Sequence, residues 1–457
     1  MSDVMQASVD SRVAEIGGRI DRLPTWGITG AAKAAIATGY FFSFFSIVSI
    51  GVTLPAIMHS LHLSRAELAL PLTAGLFGYM LGGILLGQLA DKWGRRNTFF
   101  VLTALLATSS VLCGLSWNVA SLAFFRLVSG IGIGAQISLS AALINELSPS
   151  SQRGRNIQRN VIVAGIGDAA APLVAIALLG AGDFGWRLGF GVGIFAFIPG
   201  VLAFWLPESP RWLAAQGRHA EAQGAVAKME ARLEARGLKI PEVSATVPSD
   251  LLSRSRATSV RYRDLFRRPY LSRVAVVTAY WTLFYITAYG FLGFGTVLLN
   301  QMTIQKPHGL LITAIGYLAI PVGAALPLVL IDRIHRRYLL GMSSIIYTVG
   351  LAILAVSWNG ATMMLGSILA SMVLLFNAGV GYIYTTEIFP TRVRASAMGL
   401  ADGGGHIGGM LAPSIVLAAL SAWGPRGAFG FLAGTMAVGA VLIITLGVRR
   451  ADELPSL

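Results

Sequence analysis

Within residues 161–179, VIVAGIGDAAAPLVAIALL, one carboxylate, Asp168, stands among apolar and small residues. An ionised carboxylate in hydrocarbon costs several kcal/mol unless it is neutralised, paired or set against a water-filled path, so Asp168 is a candidate functional residue by default. Three roles fit it: a protonation site, a carboxylate that binds a cation, or the ion-pair partner of Arg126. The alternative is structural, an Asp that stays neutral or caps a helix broken at Pro172. Arg126 stands in a second apolar run, too deep to snorkel easily, and its guanidinium offers a bidentate fork to a carboxylate. If Asp168 and an anionic substrate compete for Arg126, protonating Asp168 frees the guanidinium and the substrate carboxylate takes its place. A third run, GLADGGGHIGG, sets Asp402 and His406 four residues apart with Gly399 and Gly409, an imidazole beside a carboxylate suited to relaying protons. Its glycines equally suit close helix packing. A fourth run carries Thr278, Thr282, Tyr285 and Tyr289 on one helical face, with Trp281 among them. Such a stripe lines a cavity in which phenols hydrogen-bond and rings stack on a flat ligand.

These residues need elements that hold them inside a bilayer. The chain of 457 residues is 55% hydrophobic and 12% charged, against about a quarter charged in soluble domains. Runs long enough to span a bilayer, about 20 residues each, fall at 34–58, 67–90, 98–116, 118–146, 157–181, 186–206, 272–300, 309–331, 338–356, 362–386, 395–421 and 426–448. The expected fold is an all-α membrane protein of twelve transmembrane helices. Its parts are an N-terminal segment 1–33, a six-helix bundle 34–206, a helical linker 207–271, a second bundle 272–448 and a tail 449–457. Val13, Ile16, Ile20 and Leu23 suit a short amphipathic helix on the membrane surface, and no cleavable signal peptide is evident. The linker sequence RHAEAQGAVAKMEARLEARG is expected to pack as a helix beneath both bundles.

The net charge of +14 reports topology rather than a nucleic-acid partner: 29 of the 35 Lys and Arg fall on segments that share one side with both termini, against four in the opposite loops. This bias places the termini in the cytoplasm. The lone Cys113 lies within a span, so neither a disulfide nor a cysteine metal site is expected. GIGIG at 130–134 imitates a dinucleotide fingerprint but serves helix packing in an apolar span. With no Walker sequence and no catalytic constellation, neither an ATP-driven pump nor a membrane-embedded enzyme is expected, and no cofactor is implied.

An internal repeat fixes the architecture. Asp91, Arg95 and Arg96 recur as Asp332, Arg336 and Arg337, and Glu146, Pro149 and Arg153 as Glu387, Pro390 and Arg394, every pair at the same offset of 241 residues. Two six-span pseudo-repeats about a midplane site are the architecture of rocking secondary transporters. The Asp, Glu and Arg clusters fall at the cytoplasmic helix ends, where pairing across neighbouring helices would bias a gate.

GQLADKWGRR, RLVSGIGIGA, SPSSQRGR and PESPRWL resemble signatures of the major facilitator superfamily, the last two those of its sugar-porter-like subgroup. RIDRLP and TEIFPTRVRASAMG resemble the bacterial aromatic-acid and niacin transporters, kin to synaptic-vesicle and organic-ion proteins. The resemblance covers essentially the whole chain. It implies a small-molecule substrate, proton coupling, a bacterial-type inner membrane, contact with lipid and a monomer. It places Asp168 where sugar porters carry a substrate-binding Gln, and Tyr382 where they carry a substrate-contacting Trp, with Asn377 and Tyr384 nearby. One departure stands out: Ser43 and Ser46 occupy the first-span places of the family's proton-binding Asp, leaving Arg126 without its usual partner. Coupling has then moved to another acid, or the protein is a facilitator. The pocket composition favours a small planar carboxylate over a sugar, with an organic cation held by Asp168 as the rival.

Overall fold

The computed structural model describes residues 13–85, 87–241, 265–267, 270–302, 308–389 and 391–448. Residues 1–12, Lys306, Pro390, the linker stretch 242–264 and the tail 449–457 lie outside the described residues. Among the described residues eleven helices are long and apolar enough to cross a membrane. The last of them, Ser396–Leu446, is two spans: Gly424 has left-handed backbone (φ 69°) and Pro425 follows it, a turn that an L side chain would strain. Twelve spans result, numbered here in chain order. The first six run from Gly30–Ser60 to Gly180–Trp205 and the second six from Tyr270–Met302 to the end of Ser396–Leu446.

Local signals start the spans. Thr29 accepts from the Ala32 N–H at the head of span 1. Asn118 and Ser121 form a reciprocal capping box on span 4, and Asn359, at the repeat offset from Asn118, accepts from the Thr362 N–H on span 10. The adjacent Trp117 and Trp358 are exposed, as are Trp93, Phe204 and Trp205 at the opposite helix ends, the two aromatic girdles of a membrane protein. Packing inside is close enough to need glycine. A Cβ on Gly134 of span 4 would sit 2.0 Å from the Tyr79 carbonyl oxygen of span 2, and one on Gly82 would sit 2.0 Å from that of Ile131.

The two ends of the bundle differ. The face that carries the linker also carries the N-terminal helix over 13–21. Val13, Ile16 and Ile20 are not laid on lipid as expected; they pack on Trp212, Leu213, Ala222 and Val226 of the linker helices Pro210–Ala215 and His219–Glu234. Arg19 and Arg22 pair there with Glu230. The linker helices meet the first half: Trp212 Nε1 donates to the Asp91 carbonyl at 2.8 Å and Arg232 to that of Gly27 at 2.9 Å. On the far face the halves are pressed together, with Gly51 of span 1 against the Leu292 carbonyl of span 7 and Thr73 of span 2 donating to the Met410 carbonyl of span 11 at 3.4 Å.

Candidate functional site

The repeated charge clusters form ion pairs on the linker face, each inside its own half. Arg95 binds Asp91 at 2.7 Å and Glu146 at 2.9 Å, and Arg336 binds Glu387 at 3.3 Å and Asp332 at 3.6 Å. The second arginine of each cluster does something else. Arg96 donates to the carbonyls of Ala203 and Phe204, and Arg337 to that of Ile444, which lies at the repeat offset from Ala203. Arg153 pairs with Asp21 at 2.8 Å rather than with an acid of the repeat. Arg394 has a buried Nε with no hydrogen-bond partner among the described residues. Glu208 of PESPRWL, not singled out from sequence, accepts from the Arg95 and Arg96 main-chain N–H groups at the head of span 3.

At the centre, Arg126 is 4% exposed. Its Nη1 donates to the Ser46 carbonyl at 3.1 Å, its guanidinium lies 6.0 Å from the Phe190 ring centroid, and its Nε has no hydrogen-bond partner among the described residues. Where a first-span acid is absent, a main-chain carbonyl thus takes part of the cation's hydrogen bonding and none of its charge. Arg126 lines a small cavity of about 20 Å³ with Tyr79, Tyr289 and apolar residues of spans 1, 2, 4 and 7, room for about one water.

The expected pairing of Arg126 with Asp168 is not observed. Asp168 is 1% exposed, and neither carboxylate oxygen has a hydrogen-bond partner among the described residues. One turn before it, Gly165 packs on Pro321 of span 8, which puts this stretch of span 5 on the seam between the halves. The helix Arg153–Ala177 continues through Pro172, and Asp168 caps nothing.

Spans 7, 10 and 11 bring the remaining candidates together around one carboxylate. Asp402 accepts from Tyr285 at 2.5 Å and from Tyr382 at 3.0 Å, and the two phenols lie 3.2 Å apart. His406 Nδ1 lies 2.8 Å from the Asp402 carbonyl oxygen and 3.6 Å from its Oδ1. Trp281 forms the wall behind this group, its ring 4.8 Å from that of Tyr382 and its Nε1 donating to Thr385. Tyr289 stacks on Tyr285. The tyrosine stripe of span 7 packs directly on span 11, because a Cβ on Gly405 would sit 2.6 Å from Trp281 Cβ and one on Gly409 2.5 Å from the Tyr289 ring.

Part of this group is exposed: Tyr382 is 38% exposed and the Asp402 side chain 28%. Thr278 and Thr282 line a separate open groove of about 650 Å³ between spans 7 and 11, which neither Asp402 nor Tyr382 lines. Asn377 departs from expectation: its Oδ1 accepts from Tyr280 and Ser343 at 2.9 Å each, which ties span 10 to spans 7 and 9. Tyr384 donates to the Val448 carbonyl. Tyr79, missed from sequence, stacks on His406 with centroids 5.0 Å apart and also lines the cavity beside Arg126. Its only sequence signal is a lone phenol in the glycine-flanked run GLFGYMLGG.

Two repeated bundles of six spans, closed at one face and open at the other around a central polar site, define a membrane carrier worked by rocking of its halves. Residues 27–449 match the family model described as sugar (and other) transporter, and the chain belongs to that family of the major facilitator superfamily, a family of transporters and not of enzymes. It is 29% identical to a glucose transport protein of Synechocystis over 89% of this chain and 91% of the relative. It is 26% identical to the niacin transporter of Acinetobacter baylyi over 88% and 90%. The inward-open structure of the Escherichia coli xylose transporter superposes with a TM-score of 0.72 at 17% identity, over 92% of this chain and 97% of that one.

Proposed function

We propose that this metabolite transporter carries a small planar organic anion, an aromatic or heterocyclic carboxylate of the nicotinate or benzoate type, across a bacterial inner membrane with protons. The observation that carries the reading is Arg126, a buried guanidinium with no carboxylate partner among the described residues, on the wall of a small cavity that Tyr79 and Tyr289 also line. An uncompensated cation at that depth costs several kcal/mol, and a substrate carboxylate removes that cost by supplying both charge and bidentate acceptors. Tyr79 and Tyr289 on the same wall offer aromatic contact to a flat ligand. A sugar has no charge to give Arg126. The kinship with a niacin transporter supports the reading.

Asp168 serves in this proposal as a proton carrier. Buried without a partner, it is neutral in this arrangement, since the ionised form would be strongly penalised. It ionises when rocking parts the seam between spans 5 and 8 and admits water. Proton and substrate therefore occupy separate places, and the competition for Arg126 expected from sequence gives way to coupling through the seam.

The test is uptake of labelled nicotinate into proteoliposomes, with benzoate, glucose and a quaternary amine as competitors. Expected are competition by benzoate alone, accumulation only with an inward proton gradient, loss of transport in Arg126→Gln, and exchange without accumulation in Asp168→Asn. Transport of glucose or of the amine in place of the acids would overturn the reading.

A further inference from the structure

His406 takes no part in the anion site just proposed, yet its surroundings are specific. Its Nδ1 lies 2.8 Å from the main-chain oxygen of Asp402. A carbonyl only accepts, so Nδ1 carries the hydrogen of the neutral ring and Nε2 is the atom that gains and loses a proton. That Nε2 is buried and has no hydrogen-bond partner among the described residues. The ring is held between aromatic rings from opposite halves: Tyr79 of span 2, 5.0 Å away and nearly parallel at 17°, and Tyr285 of span 7, 4.0 Å away at 41°. Tyr289 lies at 6.1 Å. Asp402 Oδ1 is 3.6 Å from Nδ1, and the same oxygen accepts from Tyr285 and from the solvent-reached Tyr382.

We propose that His406 is a second proton-binding residue of the transport cycle, whose imidazolium form holds span 2 of one half to span 11 of the other. A proton adds at Nε2 and no other bond changes. The cation is attracted to the ring faces on both sides and to the Asp402 carboxylate. Asp402, Tyr285, Tyr289 and Tyr382 belong to the same half as His406 and travel with it; Tyr79 alone belongs to the other half. Protonation therefore favours the arrangement closed at the far face by the Tyr79 contact, and deprotonation releases it, since a ligand shifts an equilibrium by its differential interaction with the two states. The proposal rests on alternating access but not on the anionic substrate.

The experiment needs no substrate. The full chain in nanodiscs, with buried Cys113 replaced by Ser, carries nitroxides at Leu115→Cys and Val356→Cys, exposed far-face positions related by the repeat. Electron–electron resonance distances are recorded from pH 5 to 8.5, the range in which an imidazole titrates. The far-face-closed population is expected to fall about fivefold relative to the open one as pH rises, the size of one cation–π contact. That dependence should vanish in His406→Gln and in Tyr79→Leu, and persist in Tyr79→Phe, which keeps the ring, and in Asp168→Asn. An unchanged pH dependence in His406→Gln, or its loss in Asp168→Asn alone, would overturn the proposal. Should His406→Gln fail to fold, the Tyr79 pair decides the same question. Failure of the anion reading would leave these distances unaltered.

Discussion

Asn377 tests how a polar residue inside a membrane can serve packing rather than substrate. Its carboxamide oxygen collects the hydroxyls of Tyr280 and Ser343 and lies 3.5 Å from that of Ser344, so three spans meet on one acceptor. In Asn377→Ala those hydroxyls are left buried without an acceptor, which costs about 1–3 kcal/mol. The expected outcome is a drop of a few degrees in the unfolding temperature of the solubilised protein with the substrate KM unchanged. A raised KM at unchanged stability would instead place Asn377 in the site. The sequence displayed the buried charges plainly, because Asp168 and Arg126 stand alone in apolar runs. It did not display their partners: whether an Arg meets a carboxylate or the Ser46 carbonyl depends on helix rotation, to which composition is blind. Tyr79 escaped for the related reason that a phenol among apolar residues and glycines looks like packing until His406, more than three hundred residues on, is set against it.

Helices and their contacts carry a second layer. The glycines of span 11 were readable as a packing face, and the close approach of Gly405 and Gly409 to Trp281, Tyr285 and Tyr289 agrees with that. Gly405→Val places branched carbon where Trp281 Cβ already is. The expected result is separation of spans 7 and 11, loss of the Tyr285–Asp402 bond and at least a tenfold fall in transport at normal membrane insertion, read by proteoliposome flux against protein abundance. Gly399, with nothing near its added Cβ, is the control and should tolerate Ala. The N-terminal helix was legible as amphipathic, but a hydrophobic stripe does not say whether lipid or protein covers it; the linker helices do. Burial alone would raise the Glu230 carboxyl, yet the hydrogen bonds and charges of Arg19 and Arg22 outweigh it and hold the group below its ordinary value. A carboxyl depressed on folding contributes stability above its unfolded value, lost as pH falls through the lowered one. Protection of the amides over residues 13–21, corrected for the intrinsic exchange rate at each pH, should therefore be high at pH 7 and fall below about pH 4, where carboxylates protonate. Glu230→Gln should exchange fast already at pH 7, and equal protection in both proteins would show that the apolar contacts suffice.

For the molecule as a whole the repeat was the most legible feature, and the structure extends it: the offset that relates the charge clusters also relates the caps Asn118 and Asn359 and the carbonyls of Ala203 and Ile444 that receive Arg96 and Arg337. Because the pairs of Arg95 with Asp91 and Glu146, and of Arg336 with Asp332 and Glu387, stay within one half, they stiffen each half as a body that can rock. The contacts that must break on the far face include that of Gly51 with the Leu292 carbonyl and that of the Thr73 hydroxyl with the Met410 carbonyl. The charge asymmetry gives this body a direction. The linker face carries the repeated arginines and the linker cations, while the far loops hold few, so the positive-inside rule predicts a cytoplasmic linker face and an opening that leads inward. Single cysteines test this in intact cells carrying the Cys113→Ser protein. A membrane-impermeant maleimide is expected to label Leu115→Cys and Val356→Cys, on the far face, and to leave Gln216→Cys and Arg236→Cys unlabelled until the cells are opened. The reverse pattern would put both termini outside, and the opening now seen would then be the outward one.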